Sequence, residues 1–512
     1  MRIAVSQASA IRNIHVTGTH ADGSPMNLLL CDWNTGGTYA CGMTSGGFIG
    51  NSTIDGHLKL GSQQQFYITN VTTPEIDTGV WNAVVNNMDA KTKYLGTGDI
   101  EHTQNAWGYT SLPAKNDPNK ATTDNTYPFT KTMDTPNNKA QYNPRLVVDN
   151  QSHWSVSYNN GQVLKPISNF EILSPDNDQD NMTKVDANAL NVALSGKAGL
   201  IIMPGVYQIN GGQIQVNKDQ TVLGLGLPSL VCNDDGGCMK TASEGVRLAG
   251  FVFDAGVKNA SDSANNVLLT IGEQGQGLAD NPDILQDVYA RIARTTQGDP
   301  NDPGPSAYAA VKINANYVIG QNLWLWRADH DARTTGSPDT SPTTALTNWN
   351  TDKAQYGLIV NGNYVTMDGL AVEHFENAQT LWNGKYGTIN FYQSEMPYRL
   401  PEGDSKANPL VSCNSFTDKQ QVCPALLVNS SANNFTGYGL GVYSYFPMQE
   451  VHADNAIEVK ATQRVALNHL VDRWLNGEEN SGIAHIVNGQ GLMVSGPLQN
   501  SKNGSTLDQF RL

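Results

Sequence analysis

The sequence predicts an all-β protein built as two right-handed parallel β-helix lobes lying side by side. Three observations carry this. Short apolar strands recur in the second half of the 512-residue chain at steps near 22 or 47. Each is followed by a polar turn, often with Asn or Gly, and then by a second apolar strand. No helical period separates them. A period of roughly 20–50 residues marks stacked units that bury a face only against their neighbours. Strands this short, without intervening helices, indicate a β-helix. A β-propeller is the rival architecture, but its blade signatures are absent.

The chain opens on short strands: "AIRNIHVTG", "NLLLCDW", "GGFIGNSTIDG", "QQQFYITNV" and "GVWNAVV". They read as a first lobe over 1–160. No capping segment precedes it, so the expectation is a partial lobe with residues missing upstream. A polar, Pro- and Asn-rich stretch at about 97–145 ("PAKNDPNKATTDNTYPF") reads as a long excursion or linker. The second lobe is expected over 161–512. Near its start, "DANALNVALSGKAGLIIMPGVYQI" predicts a short helix with Ala187, Leu190 and Leu194 on one face and Gly196 as its stop. Such a helix would cover the open edge of the first rung.

The repeats follow: "AVKINANYVIGQNLWLWRADHD" (310–331), "GLIVNGNYVTMDGLAVEHFE" (357–376) and "QTLWNGKYGTINFYQSEM" (379–396). "ALLVNSSANNFTGYGLGVYSYF" (425–446) and "AIEVKATQRVALNHLVDRWL" (456–475) match more loosely. Asn314, Asn361, Asn383 and Asn429 fall at the same turn, which predicts an inward ladder of side-chain amides.

Two glutamates share this frame. Glu373 in "VEHF" and Glu395 in "SEMP" are 22 residues apart, each 12 residues after its turn asparagine. In-register rungs would place their carboxyl groups one strand spacing apart, about 5 Å. Two carboxyl groups that close do not both ionise easily, so one should keep its proton, as a general acid must. Trp324, Trp326, Trp382, Tyr392 and Tyr398 cluster on nearby rungs. They are sugar-stacking candidates, with wall packing as the equal alternative.

Composition limits the partners. Only 15% of residues are charged and the net charge is −15, so no basic stripe exists to neutralise nucleic-acid phosphates. No apolar run reaches the roughly 18 residues of a membrane helix. The start "MRIAVSQASA" lacks the apolar core of a signal peptide. The six cysteines fall in three local pairs, Cys31/Cys41, Cys232/Cys238 and Cys413/Cys423, which points to disulfides and an oxidising, extracellular setting. Sequons at Asn70 and Asn434 agree with secretion. Neither C-x-x-C nor paired-His spacing suggests zinc. "DNDQDN" (176–181) starts like a calcium loop but has Asn181 and Ala187 where Gly and Glu are needed. It reads instead as a solvated cap to the following helix. "GLGLP" (224–228) opens no helix and is not a nucleotide loop. His374 reads as a hydrogen-bonding partner. No metal or cofactor is expected.

The ordered blocks "NLWLWRADHD", "GLIVNGNYVTMDGLAVEHF", "FYQSEMPY" and "GYGLGVYSYF", with "RIAVSQASAIRNIHV", "GGFIGNSTIDG" and "GSQQQFYITNV" upstream, resemble glycoside hydrolase family 55. That family comprises exo- and endo-β-1,3-glucanases with two tandem β-helices. The resemblance implies an inverting glycosidase in which Glu395 matches the general acid. Glu373 matches a second carboxylate that tunes it. Asp329 or Asp331 matches the acidic cleft position, and Gln64 or Gln65 in "QQQF" matches the group holding the attacking water. Trp326, Trp382, Tyr392, Tyr398 and Tyr443 complete the expected substrate-binding set. A spacing of about 5 Å between two carboxyls would by itself read as a retaining pair. Here both lie on one side of the sugar, which no nucleophile and acid share.

The expectation is thus a secreted, monomeric, exo-acting hydrolase of β-1,3-glucan or a related glycan. A polysaccharide lyase on the same fold would need uronate-binding cations, of which Arg327 is the only one near. A non-catalytic glycan-binding or adhesive β-helix would bind without turnover.

Overall fold

The computed structural model describes residues 7–30, 46–60, 65–77, 80–88, 91–95, 108–111, 129–132, 144–149, 162–176, 182–258, 260–294, 303–329, 349–398, 422–447, 450–478, 481–495 and 504–512. The chain divides into two compact units. One comprises Met1–Lys115, Ser341–Trp349 and Met367–Leu512; the other comprises Asn116–Thr340 and Asn350–Thr366. The fold is a parallel β-helix.

The strands that position the site and its neighbours, in chain order, begin with β1 (Gly47–Ile54), β2 (Gln65–Thr72), β3 (Asn82–Asn86), β4 (Arg247–Ala255) and β5 (Asp283–Ile292). They continue with β6 (Val318–Arg327), β7 (Thr366–Glu373), β8 (Thr388–Glu395), β9 (Thr436–Phe446) and β10 (Ala466–Gly477). In the unit that holds both ends of the chain, β1, β2 and β3 pair in parallel. The same is true of β8, β9 and β10. In the other unit, β4, β5 and β6 form a parallel ladder.

The two-residue period of a strand sorts these side chains. Ile49, Ile68 and Val85 stand in one row across β1, β2 and β3 and face the apolar interior with Phe66, Leu28, Leu58 and Ile76. Their neighbours Phe48, Tyr67 and Val84 form the opposite row and pack against Phe391 and Tyr438. Both faces are therefore apolar, and alternation between core and solvent is lost here.

Each of these ten strands contains, or in β3 is followed by, one corner residue with a left-handed backbone. In one unit this column is Gly250 (φ 76°), Asp287 (φ 49°) and Asn322 (φ 58°), placed side by side by the register of β4, β5 and β6. In the other it includes Gly369 (φ 78°), Phe391 (φ 70°), Gly439 (φ 60°) and His469 (φ 54°). In the same unit β1, β2 and the residue after β3 carry the corner as Asn51 (φ 50°), Asn70 (φ 54°) and Asn87 (φ 50°). Asparagine tolerates this conformation. The three also bond in series, Asn70 Nδ2 to Asn51 Oδ1 at 2.7 Å and Asn87 Nδ2 to Asn70 Oδ1 at 3.0 Å.

The ladder expected in the second half forms pairwise. Asn361 Nδ2 donates to Asn314 Oδ1 at 2.9 Å, and Asn429 Nδ2 donates to Asn383 Oδ1 at 2.9 Å. The helix α1 (Ala187–Leu194) forms with Ala187, Leu190 and Leu194 buried, and Gly196 follows at φ 74°. Its N-cap is Asp186, whose Oδ1 accepts from Asn188 N at 2.9 Å, so the cap sits beyond the "DNDQDN" run. That run lies mostly outside the described residues.

Parts of the polar excursion are strands. Gly108–Ser111 extends the ladder beyond β3, with Thr110 opposite Val84. Phe129–Thr132 pairs antiparallel with Pro144–Asp149. Backbone pairing needs no apolar side chains, which is why composition hid these strands. Cys232 and Cys238 form a disulfide, and Cys423 is disulfide-bonded. Cys31, Cys41 and Cys413 fall outside the described residues.

Candidate active site

The site grows from the ends of β7 and β8. In the β8–β9 pair, Glu395 stands opposite Tyr443 and Met396 N bonds Tyr443 O at 2.9 Å. His374 N bonds Glu395 O at 3.0 Å in the same way, which sets Glu373 opposite Glu395. Asn390 Nδ2 donating to Asp368 Oδ1 at 2.6 Å fixes the same 22-residue register. Tyr443 in turn stands opposite Arg473. Glu373, Glu395, Tyr443 and Arg473 thus form one row across four strands, each step about 4.8 Å.

Both carboxyls are nearly out of water, Glu373 2% and Glu395 7% exposed. Burial of such groups is costly unless they are hydrogen-bonded. Glu373 Oε1 accepts from Gln393 Nε2 at 2.6 Å and from Gln7 Nε2 at 2.7 Å. Glu395 Oε2 accepts from the Tyr398 hydroxyl. His374 Nε2 lies 3.9 Å from the same oxygen, and its Nδ1 is 3.1 Å from Met396 O. The Tyr398 ring is held edge-on by His374, 4.3 Å between centroids, and by Tyr445, 4.8 Å. His374 is therefore a packing and hydrogen-bonding partner of the glutamate row. Its backbone is left-handed (φ 68°), an arrangement that costs energy and clusters at functional sites.

The far end of the row is closed by aromatic stacking. Trp81 lies over Tyr443 at 5.8 Å, and the Arg473 guanidinium sits 3.8 Å from the Trp81 ring centroid. Burial pushes the Tyr443 phenol up and pulls Arg473 down to about 10.

The remaining expected residues divide by location. Gln65 opens β2, buried, opposite Asn82 and on the same strand face as Tyr67. Tyr67 approaches Phe391 to 6.4 Å, so this face is the one packed on β8. Gln64 and Asp331 lie outside the described residues. Trp326 is half-buried on β6 and stacks on Trp324 at 5.4 Å. Asp329 follows that strand, half-buried. Both belong to the other unit.

Trp382 and Tyr392 are fully buried. Trp382 Nε1 donates to Gly384 O at 3.1 Å and its ring packs edge-on against Phe435. The Tyr392 hydroxyl lies 3.1 Å from both Thr380 Oγ1 and Ala425 O. Neither presents a ring face outward, so wall packing describes them. For Tyr392 the reason is parity: it sits three residues before Glu395, on the opposite strand face. Tyr443 is on the Glu395 face but buried beneath Trp81.

Sequence reasoning missed Gln7, Gln393, Trp81 and Arg473. Gln393 carried a usable signal, since it lies two residues before Glu395 and shares its face. Gln7 is 366 residues from Glu373 and carried none.

The chain matches the family model of the LAM55 pectate lyase-like domain over residues 182–395. It is 27% identical over 515 residues to an exo-beta-1,3-glucanase of Streptomyces sp. (strain SirexAA-E / ActE), covering 97% of this chain and 70% of that protein. Among solved structures it is similar to sacteLam55A from Streptomyces sp. SirexAA-E, with a TM-score of 0.75 and 26% identity, over 99% of this chain and 79% of that one. A variant of sacteLam55A in complex with glucose matches with the same TM-score of 0.75, identity of 26% and coverage. The chain thus resembles β-1,3-glucanases of glycoside hydrolase family 55 in sequence and in its parallel β-helix fold.

Proposed function

We propose that this protein is a secreted glycoside hydrolase that cleaves β-1,3-glucan from chain ends with inversion at the anomeric carbon. The observation that carries the reading is the pair Glu373 and Glu395, adjacent in one row and nearly excluded from water. Similarity to an exo-beta-1,3-glucanase along 97% of the chain supports the substrate class.

In this reading Glu395 is the general acid. It passes its proton to the glycosidic oxygen as the bond to the anomeric carbon breaks. Tyr398, bonded to Glu395 Oε2, orients it. Glu373 is the neighbouring carboxylate that tunes the acid. It lies one strand away on the same face, so it is not placed to attack the opposite side of the sugar as the nucleophile of a double displacement would. A water held by Gln64 or Gln65 attacks the anomeric carbon from the opposite side instead, and its proton passes to solvent water. Asp329, Asp331, Trp326 and Tyr398 are assigned to sugar binding. The proposed organisation is a first β-helix lobe over 1–160 and a second over 161–512, acting as a monomer.

The test is reducing-sugar release from laminarin by wild type and Glu395→Gln, with the anomer of the first product read by NMR. Turnover that falls by several orders of magnitude in the variant, with an inverted first product, supports the reading. A retained anomer removes the mechanism, and an equally active variant removes the acid assignment.

A further inference from the structure

We infer that Arg327 is a positioning residue for Asp329, acting through the main chain at Thr351 and Asp352; this rests on the assignment of Asp329 to sugar binding proposed above. Three observations carry it. Arg327 ends β6 on the strand face of Leu323 and Leu325, both fully buried, stands opposite Ile292 in β5, and is itself 4% exposed. Its Nε donates to Asp352 O at 2.9 Å and its Nη2 to Thr351 O at 3.0 Å. The turn that receives these bonds is strained, since Asp352 is fully buried and holds φ 48°. A residue keeps that backbone only where its surroundings over-determine it.

Strand parity decides what Arg327 touches. Trp324 and Trp326 alternate with it and lie half-buried on the opposite face of β6. The guanidinium points the other way, toward the interior, and meets main-chain carbonyl oxygens there. A buried charge is costly unless it is hydrogen-bonded, so these bonds commit it. Arg327 is thus not a ligand for a uronate or for any sugar. Its planar fork spans two successive carbonyls, which a lysine ammonium does not reproduce.

The consequence falls on Asp329, two residues further on. The end of β6 is held twice. Ala328 N bonds Ile292 O at 3.0 Å, and the Arg327 side chain is fixed at its head by residues 24 and 25 positions along the chain. Those residues are anchored in their turn: Asp352 N bonds Pro303 O at 2.8 Å, and the strand Ala354–Val360 that follows pairs with Ala307–Ile313. A Cβ at Gly304 would overlap the Asp352 carboxyl, so the turn is packed on that side as well. One side chain therefore ties the exit from β6 to the entry of the next strand. Asp329 leaves from a point that cannot splay outward, and its carboxyl is offered to the sugar at one place.

Arg327 acts through Asp329 and is remote from the acid. Its replacement should therefore raise KM with little change in kcat, and only while Asp329 is present. A double-mutant cycle isolates this. The variants are Arg327→Lys, which keeps the charge and loses the fork, Asp329→Ala, and the two combined, all assayed on laminarin oligosaccharides with the unfolding midpoint recorded. Arg327→Gln, neutral and able to donate to one carbonyl, serves if the lysine variant folds poorly. A purely structural role would lower the midpoint and the active fraction, hence kcat, and leave KM in place.

The expected result is a rise in KM of about tenfold for Arg327→Lys in the wild-type background, the equivalent of about 1.4 kcal/mol, with kcat within about twofold. In the Asp329→Ala background the same change should move KM by less than about twofold. Equal rises in both backgrounds would overturn the proposal, because Arg327 would then act independently of Asp329. A fall in kcat at constant KM, or no change at all, overturns it too. Asp329→Ala alone separates the two levels of the argument. If it leaves KM unchanged, or if wild type turns over no laminarin, the functional reading fails and the proposal with it. If it raises KM while Arg327→Lys does not, only the proposal fails.

Discussion

Gly439 and Phe391 stand opposite each other in β9 and β8, both in the left-handed backbone region. Glycine enters that region freely; phenylalanine does not. Phe391 accepts the strain because its ring is buried with Tyr67, Phe48, Val84 and Tyr438. Gly439 is needed for a second reason: a Cβ there would collide with Val84 Cγ2, while its carbonyl accepts from Asn82 Nδ2 at 3.0 Å.

Gly439→Ala should therefore destabilise the protein by roughly 2–5 kcal/mol, the sum of a left-handed alanine and an overpacked contact. Thermal or denaturant unfolding would read it. An unfolding midpoint equal to wild type would mean that the β3 and β9 strands separate at little cost.

Tyr398→Phe removes the hydroxyl that bonds Glu395 and leaves the ring against His374 and Tyr445. A hydrogen bond to an ionisable partner is worth about 1.5–3 kcal/mol. The expected loss in kcat/KM on β-1,3-glucan is roughly ten- to a hundredfold, with an unchanged melting temperature. Wild-type kinetics in this variant would separate Tyr398 from the chemistry.

Asp283 gives a pH signature in stability. Burial pushes its carboxyl from 3.8 up to about 7, against a bond from Val246 N at 2.9 Å. The folded state holds this proton more tightly than the unfolded state. Stability is thus fully present below about pH 4 and falls as pH rises through 7. Asp283→Asn lacks this slope, so its stability relative to wild type should rise between those limits by roughly 1.4 kcal/mol per pH unit. Parallel stability curves for the two proteins across that window would refute the assignment.

The Cys232–Cys238 bond closes a loop with a sequence separation of 6. Loop-closure entropy gives such a crosslink about 2 kcal/mol. Replacing both cysteines by serine should lower the unfolding midpoint by that equivalent, and reductant should then add no loss from this bond. A midpoint unaffected by the double substitution would mean that the loop is already ordered when reduced.

The stacking of the second half was legible because repetition is local: a 22-residue step and a turn asparagine state the register without any structure. The cap helix was legible for the same reason, since Ala187, Leu190 and Leu194 lie within one short window. The corner column was not. Gly, Asp, Asn, Phe and His all occupy it, because the backbone angle is shared while the residue type is not. Trp382 and Tyr392 show a different limit. Their types invited a sugar-binding reading, whereas strand parity and hydrogen bonding turn them inward. Gln7, Trp81 and Arg473 reach the glutamate row only through contacts between distant stretches of chain, which no spacing rule records.

That long-range assembly sets an order of events during synthesis. Trp81 meets Arg473, and Gln7 meets Glu373, only after the ribosome has added the intervening 116–366 stretch, most of which belongs to the other unit. At about 5–20 residues per second this takes roughly ten to fifty seconds. Throughout that interval Phe48, Tyr67 and Val84 have been made but their partners Phe391 and Tyr438 have not. An apolar strand face waits for its cover, which makes the early segment the natural client of a chaperone and the point where fast expression should first produce aggregates.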